Sequence, residues 1–214
     1  MAIKRRWEMG KSPFKQFWRS FKRLPRRIAK NSSRENVMNL LSDFFRYIAT
    51  GKDQNIPLIL LRHAKAIKRH DFLGDDSDRP LSEIGEKQAQ KIVDLYQYFG
   101  LKEIHSSDAT RCIKTVELLS NKLNLSTIIA TELSEYVYQK DKQKSIDYVL
   151  HQFSQNKPVL ICGHNPYLSK YFKKIVGKKW AKKFKEELDP GEAWVIYRFN
   201  SKVIRINLMQ SPEV

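Results

Sequence analysis

Two histidines, two arginines and one carboxylate each follow a short apolar segment of the chain. They are Arg62, His63, Arg111, Glu135 and His164. This set of side chains suits phosphoryl transfer, in which the transition state spreads negative charge over three equatorial oxygens. Arginine binds phosphate with a planar, permanently charged fork. A neutral imidazole can attack phosphorus, and a carboxylic acid can protonate the leaving oxygen and then activate water.

Each of these residues taken alone has an ordinary structural interpretation. A lone histidine after a strand is more often a satisfied surface or core residue than a catalyst, and a lone arginine is usually a solvated charge. The shared position of all five after successive strands favours a common function. Neighbouring arginines are expected to lower the pKa of a histidine at such a site, which keeps the imidazole neutral and nucleophilic near pH 7.

The apolar segments predict the strands that position these residues. Strands are predicted over 56–61, 103–106, 126–130, 158–162, 193–199 and 202–208. Helices are predicted over 82–99, 109–123, 144–153 and 167–188. Strands that alternate with helices predict an α/β fold with a mostly parallel sheet, closed by a hairpin around Asn200-Ser201. Ligands of such sheets bind beyond the carboxyl ends of the strands, so the five residues are expected to converge on one face.

The first 54 residues differ in charge from the rest of the chain. The net charge is +17, and residues 1–35 hold 12 Lys and Arg against 2 Glu, which is +10. We interpret 1–54 as a basic helical N-terminal extension and 55–214 as the α/β domain. Three interpretations of the extension stay open: it packs on the domain, lies on an anionic membrane surface, or contacts nucleic acid.

Composition excludes several classes of protein. Hydrophobic residues make up 41% of the chain, which is enough for a core. Cys112 and Cys162 are too few for a disulfide scaffold and lack zinc spacing, so we expect reduced, partly buried thiols. No stretch approaches the roughly 20 apolar residues that span a bilayer, and no apolar region of a signal peptide follows the basic N-terminus. A cytoplasmic location is therefore expected.

Four short motifs, in order along the chain, carry a resemblance to a known family. They are Leu58–Ala64, Arg79–Ala89, Ser106–Thr115 and Gly163–Asn165. They resemble four motifs of the histidine phosphatase superfamily. The first is similar to the strand that ends in Arg-His-Gly, and the second to the helix start Leu-Thr-x-x-Gly-x-x-Gln-Ala. The third and fourth are similar to the segments that deliver a second arginine and a second histidine. Ala64 replaces the usual glycine, which a negative φ would tolerate.

The resemblance covers about Pro57 to Leu208 and is closest to the phosphohistidine-phosphatase (SixA-like) branch. The chain also resembles the C-terminal domain of bacterial Nudix–histidine-phosphatase fusions, particularly over Gly74–Pro80. Residues 1–54 are then a shortened Nudix remnant or an unrelated extension. The implied fold is the phosphoglycerate-mutase-like three-layer sandwich, with helices on both faces of the sheet.

The resemblance also implies roles for the site residues. His63 is the implied nucleophile, and Glu135 in a Leu-x-Glu pattern is the implied proton donor, with Glu132 in reserve. The implied phosphate pocket consists of Arg62, Arg111 and His164. The expected reaction is metal-independent and cofactor-free hydrolysis through a phosphohistidine intermediate. The alternative is a catalytically idle module that binds phosphorylated ligands.

Substrates and partners follow less directly. The implied substrates are protein phosphohistidine or nucleotide and other small phosphates, and no obligate protein partner is evident. Lys65 lies beside the site without an assigned role. A lysine cluster between 170 and 185 is interpreted either as a solvated helix face or as a positive rim that steers a phosphorylated partner. Its members are Lys170, Lys173, Lys174, Lys178, Lys179, Lys182, Lys183 and Lys185.

Overall fold

A computed structural model describes residues 56–214 of the chain. The predicted extension over 1–54 lies outside the described residues and stays a prediction. Within 56–214, six strands form one sheet. They are β1 Ile56–Arg62, β2 Glu103–Ser106, β3 Thr127–Ile129, β4 Val159–Gly163, β5 Ala193–Phe199 and β6 Lys202–Met209. Their order across the sheet is β3-β2-β4-β1-β5-β6.

The sheet is parallel at its centre and antiparallel at one side. β4 pairs in parallel with both β1 and β2, and β2 pairs in parallel with β3. β5 runs antiparallel to β1 and to β6. Asn200 and Ser201 join β5 to β6 with φ of 46° and 58°, the left-handed backbone that two-residue hairpin turns require. The predicted hairpin is therefore confirmed.

In the described part of the chain, five α-helices connect the strands. They are α1 Glu83–Tyr96, α2 Thr110–Leu123, α3 Glu135–Lys140, α4 Lys142–Ser154 and α5 Tyr167–Ala181. The predicted helix over 167–188 is wrong beyond Ala181, and Gly177 already interrupts its helical backbone with φ 79° and ψ 160°. The sequence also did not predict α3, which has only six residues and hence little periodicity.

Alternate residues of β1 pack against different helices. Leu58 and Leu60 belong to a buried cluster that includes side chains of α4 and α5. Ile59 and Leu61 belong to a second cluster that includes side chains of α1 and α2. Burial on both faces explains why the strand is a continuous apolar run. The fold is therefore a three-layer α/β sandwich, which confirms the predicted class.

The parallel register brings the carboxyl ends of the central strands to one edge. Arg62 at the end of β1 pairs with Gly163 at the end of β4, and Ser106 at the end of β2 pairs with Cys162. Residues that follow these strands therefore lie near one another.

Cys162 and Cys112 are free, and both are fully buried rather than partly buried as predicted. Among residues 56–214, no helix is long and apolar enough to cross a membrane.

Candidate active site

A cavity of about 300 Å³ lies at this edge of the sheet. Its lining includes all five predicted site residues: Arg62, His63, Arg111, Glu135 and His164. The convergence expected from the strand pattern is thus present, while the catalytic roles of the residues stay predictions. The reserve carboxylate, Glu132, is not in the cavity lining, and its carboxylate lies 3.9 Å from the Lys144 ammonium group.

His63 is the first residue after β1, and its buried ring has a defined tautomer. The ring Nδ1 lies 2.7 Å from the carbonyl oxygen of Ala64. Because a carbonyl only accepts, Nδ1 carries the proton and Nε2 of the neutral ring has a free lone pair. Nε2 has no hydrogen-bond partner among residues 56–214. His63 therefore lines the cavity with a ring whose Nε2 is unprotonated.

The pKa of His63 is lowered to about 3, and burial is the largest cause. The Ala64 carbonyl opposes this shift, and the positive charges of Arg111, Arg62 and Arg79 add to it. The expected direction is confirmed, but the arginines are not the main cause, because desolvation of the cationic ring outweighs their repulsion. His63 is therefore neutral throughout the physiological pH range.

Arg62, the last residue of β1, is fixed by the loop before β5. Its Nη1 donates to the carbonyl oxygen of Leu188 at 2.6 Å, and Asn165 Nδ2 donates to the same oxygen at 2.7 Å. The Leu188 carbonyl thus orients both side chains, and Leu188 lies in a loop beyond the end of α5 rather than in the predicted helix. The buried Nε–H of Arg62 has no acceptor among the described residues.

Arg111, in the first turn of α2, is held by two acidic residues. Its Nη1 donates to the backbone carbonyl of Asp76 at 2.5 Å, and its Nη2 donates to the carboxylates of Asp76 at 3.1 Å and Glu135 at 3.0 Å. The side chain is 2% exposed. Its Nε–H is also buried without an acceptor in the described part of the chain. Both arginines that line the cavity therefore have one buried N–H without an acceptor among the described residues.

His164 follows β4 and lies beside the nucleophile candidate. Its ring centroid is 5.3 Å from that of His63. Its Nε2 lies 3.0 Å from Ser107 Oγ, and its Nδ1 lies 3.3 Å from Glu135 Oε1. Burial is the main cause that holds the pKa of His164 well below its usual value, and the proximity of His63 and Arg111 lowers it further. Glu135 thus contacts both His164 and Arg111.

Comparison with known proteins places this arrangement in a family. Residues 58–158 match the family model of the histidine phosphatase superfamily, branch 1. The matched segment, which is 101 of the 214 residues, is that of the histidine phosphatase superfamily. The matched segment contains His63, Arg111 and Glu135, and the recognition made from the four sequence motifs is confirmed.

Individual histidine phosphatases show how far the likeness extends. The 8-oxo-(d)GTP phosphatase of Mycolicibacterium smegmatis is 25% identical over 165 residues, which are 73% of this chain and 48% of that protein. The chain thus spans about half the length of this curated relative. At 25% identity, the likeness does not extend to the substrate of this relative.

Solved structures support the fold. The structure assigned as the phosphohistidine phosphatase SixA of Agrobacterium tumefaciens has a TM-score of 0.56 and 23% identity, and the match covers 71% of this chain and 97% of that one. A protein histidine phosphatase SixA complexed with tungstate has a TM-score of 0.56 and 17% identity, over 71% of this chain and 96% of that one. At these identities the likeness concerns the fold alone.

The second of the four sequence motifs fixes the chain just after the nucleophile candidate. The Lys65 carbonyl accepts hydrogen bonds from Ser82 N at 2.9 Å and Ser82 Oγ at 3.0 Å, and Lys65 N donates to Gln88 Oε1 at 2.8 Å. A Cβ atom on Gly85 would lie 1.9 Å from the Lys65 carbonyl oxygen, so glycine is required there. The Ser-x-x-Gly-x-x-Gln spacing therefore aligns three residues of one helix face on Lys65.

Ala64, which replaces the usual glycine of the first motif, is tolerated because its φ is not positive, as expected from the sequence. Ala64 is not among the residues with positive φ, so a side chain causes no backbone strain. Its N–H donates to Thr115 Oγ1 at 2.9 Å, and Thr115 Oγ1 donates to the Arg111 carbonyl at 2.6 Å. This pair of hydrogen bonds connects the strand end of the nucleophile candidate to the helix that carries Arg111.

Asp76 is a site residue to which the sequence assigned no role. Its Oδ1 accepts from Arg79 Nε at 2.7 Å and lies 2.5 Å from Arg69 Nη1, while its Oδ2 accepts from Arg111. Burial alone would raise the pKa of Asp76, but these three arginines lower it to about 2. The signal was its place within Gly74–Pro80, a segment that carried part of the family resemblance.

No group of three or more His, Cys, Asp or Glu side chains within 56–214 has the arrangement of a metal site. The expected metal independence stays a prediction.

In the lysine cluster, Lys173 pairs with Glu186, and Lys185 pairs with Asp189 and Glu192. A steering role for the cluster also stays a prediction.

Proposed function

We propose that this chain hydrolyses phosphomonoesters or phosphoramidates through a phosphohistidine formed on His63, without a metal ion or cofactor. One observation carries the proposal: a buried, neutral His63 with a free Nε2 lines the same cavity as two arginines whose buried Nε–H groups lack acceptors. Phosphoryl oxygens are the acceptors that Arg62 and Arg111 suit. Fixed donors of this kind stabilise the charge of a phosphoryl-transfer transition state.

The first step forms a bond from His63 Nε2 to phosphorus while the bond from phosphorus to the leaving oxygen or nitrogen breaks. The leaving group takes a proton from the carboxylic acid of Glu135, which contacts both Arg111 and His164. Arg62, Arg111 and His164 bind the phosphoryl oxygens. Because His63 is neutral before attack, no proton must leave Nε2 first.

The second step returns the enzyme to its starting state. The Glu135 carboxylate takes a proton from water, and the water oxygen bonds to phosphorus as the N–P bond breaks. Inorganic phosphate leaves, and His63 recovers its free Nε2. The hydrogen bond from Nδ1 to Ala64 persists throughout, which fixes the ring and stabilises positive charge on it.

The proposed substrates are protein phosphohistidine or nucleotides and other small phosphates. Support comes from the M. smegmatis relative, which acts on 8-oxo-(d)GTP by its name. The two SixA structures add to it, because one is assigned as a phosphohistidine phosphatase and the other is a protein histidine phosphatase by its name. We place this activity in residues 55–214, because the sheet and the cavity lie within the described range. The roles of 1–54 stay predictions.

Trapping the phosphorylated enzyme tests the proposal. The protein is incubated with phosphoramidate or p-nitrophenyl phosphate in EDTA, quenched in alkali to preserve phosphohistidine, and mapped by mass spectrometry. We expect phosphate on His63, undiminished by EDTA, and none in His63→Gln. His151→Gln is the matched control, because His151 is an exposed residue of α4 outside the cavity lining.

Two results would contradict the proposal. Loss of labelling and turnover in EDTA, restored by magnesium, would overturn metal independence. Tight phosphate binding without turnover or labelling would instead favour the idle phospho-ligand-binding module.

A further inference from the structure

The cavity has more positive charge than one phosphoryl group uses. Besides Arg62 and Arg111, its lining includes Arg79, Lys65 and Lys68. Arg79 is already paired with Asp76. Neither lysine has an ion pair with any residue of the described range 56–214. If Arg62 and Arg111 bind one phosphoryl group, Lys65 and Lys68 are two further cationic residues of the lining without a counter-charge in the described range.

The backbone that carries these lysines is fixed at successive residues. The hydrogen bonds of Ser82 and Gln88 hold Lys65, and Ala66 forms an isolated β-bridge with Leu81. Ile67 N donates to the Pro80 carbonyl at 3.2 Å, and Arg79 Nη1 donates to the Ile67 carbonyl at 2.7 Å. A fixed backbone reduces the entropy lost when both side chains order on a ligand. Both lysines are exposed to solvent in this structure.

We propose that Lys65 and Lys68 form a second anion subsite, which binds the next phosphate of a substrate that carries two or more phosphates in a chain. This inference rests on the proposed function, because it assumes that His63 attacks the terminal phosphorus. The cavity of about 300 Å³ is at the lower end of small-molecule pockets. Such a volume holds more than one phosphoryl group, so a short polyphosphate chain fits the space and the charge.

The reaction at this pair of subsites is a phosphoanhydride hydrolysis. His63 Nε2 bonds to the terminal phosphorus as the bond from that phosphorus to the bridging oxygen breaks. The bridging oxygen leaves with the shortened chain and takes the proton of Glu135. The two ammonium groups bind the charge that develops on this leaving phosphate, which is where an added charge accelerates the step.

A pair of substrates separates the second subsite from the first. Inorganic tripolyphosphate needs both subsites, whereas p-nitrophenyl phosphate has one phosphate. In EDTA, we expect Lys65→Gln/Lys68→Gln to lower the ratio of kcat/KM for tripolyphosphate to kcat/KM for p-nitrophenyl phosphate about tenfold, the size expected for two partly solvated charges. Lys65→Arg/Lys68→Arg should restore most of the ratio, because it returns both charges.

The matched control is Lys102→Gln/Lys122→Gln, which removes two exposed lysines that do not line the cavity and should leave the ratio unchanged. Thermal melting of every variant checks the fold. An unchanged ratio in the folded glutamine variant, or wild-type turnover of p-nitrophenyl phosphate but not tripolyphosphate, overturns the inference and leaves the proposed function standing. Absence of both turnover and His63 labelling in the wild type overturns the proposed function, and the inference with it.

Discussion

Two polar clusters of this protein are built from the same kinds of side chain. The cavity cluster contains the five predicted site residues. The second polar cluster consists of Glu103, His105, Tyr148, Lys157 and Arg198. Each cluster has a histidine that burial makes harder to protonate, a carboxylate and at least one buried arginine. Residue type and burial alone therefore do not separate them.

The second polar cluster pairs its groups internally. His105 Nδ1 lies 2.7 Å from the Tyr148 hydroxyl, and His105 Nε2 lies 3.0 Å from Glu103 Oε2. Arg198 Nη2 donates to three backbone carbonyls near the end of α4, those of Gln152, Gln155 and Lys157. Such carbonyls lack helical partners, and a buried cation satisfies them. Both nitrogens of the His105 ring are thus paired with residues that do not line the cavity.

The cavity cluster instead leaves selected groups unpaired. Within residues 56–214, the buried Nε–H groups of Arg62 and Arg111 have no partner, and the only hydrogen bond of the His63 ring is through Nδ1. Unpaired buried polar groups cost stability, so they are uncommon unless a ligand satisfies them. The function of a buried polar residue therefore depends on which of its atoms the fold leaves without a hydrogen-bond partner.

Replacing the two buried histidines gives the largest contrast. His63→Gln is expected to lower kcat for p-nitrophenyl phosphate at least about 10⁴-fold, because it removes the nucleophile. His105→Gln should leave kcat within about twofold and lower the free energy of unfolding by roughly 1–3 kcal/mol, through lost buried hydrogen bonds. Steady-state kinetics and urea denaturation measure both. Equal loss of activity in the two folded variants would erase the proposed distinction.

The buried arginines give the next contrast. Arg111→Lys is expected to lower kcat/KM about 10³-fold, because an ammonium group cannot reproduce the fork that meets a phosphoryl group. Arg198→Lys should leave kcat/KM nearly unchanged and destabilise the fold by roughly 1–3 kcal/mol, since one ammonium group reaches fewer of the three carbonyls. A large loss of kcat/KM in folded Arg198→Lys would show that the second polar cluster also acts in catalysis.

Much of the cavity cluster was predictable because it depends on local patterns. Apolar runs indicated the parallel strands, and the rule that ligands bind at their carboxyl ends placed His63 and His164 together. Asp76 was not predictable in this way, because it reaches Arg111 from a three-residue 3₁₀ helix 35 residues away in sequence. Arg198 resembles a solvent-facing strand residue in the sequence, and its burial depends on carbonyls at the end of α4.

The two candidate proton donors provide a smaller test. Glu135→Gln is expected to lower kcat about 10²-fold for an alkyl phosphate, because the alkoxide leaving group needs a proton. The loss should be smaller for p-nitrophenyl phosphate, since p-nitrophenolate is a better leaving group. Glu132→Gln is the control, because Glu132 lies near Lys144 outside the cavity lining. A larger loss in Glu132→Gln than in Glu135→Gln would reverse the assignment of the proton donor.

The smallest expected effect is the dependence of stability on pH. The pKa of His63 is about 3 in the folded state against a usual value of 6.5, so the unfolded chain binds a proton first as the pH falls. The stability associated with neutral His63 is fully present above pH 6.5 and is lost progressively between pH 6.5 and about 3.

This loss is at most about 1.4 kcal/mol per pH unit. In urea denaturation at several pH values, His63→Gln should therefore flatten the acid side of the stability profile more than His105→Gln. The pKa of His105 is also lowered by burial, but Glu103 opposes that shift. An equal flattening by the two variants would mean that the open nitrogen of His63 is no more costly to protonate than the paired ring of His105.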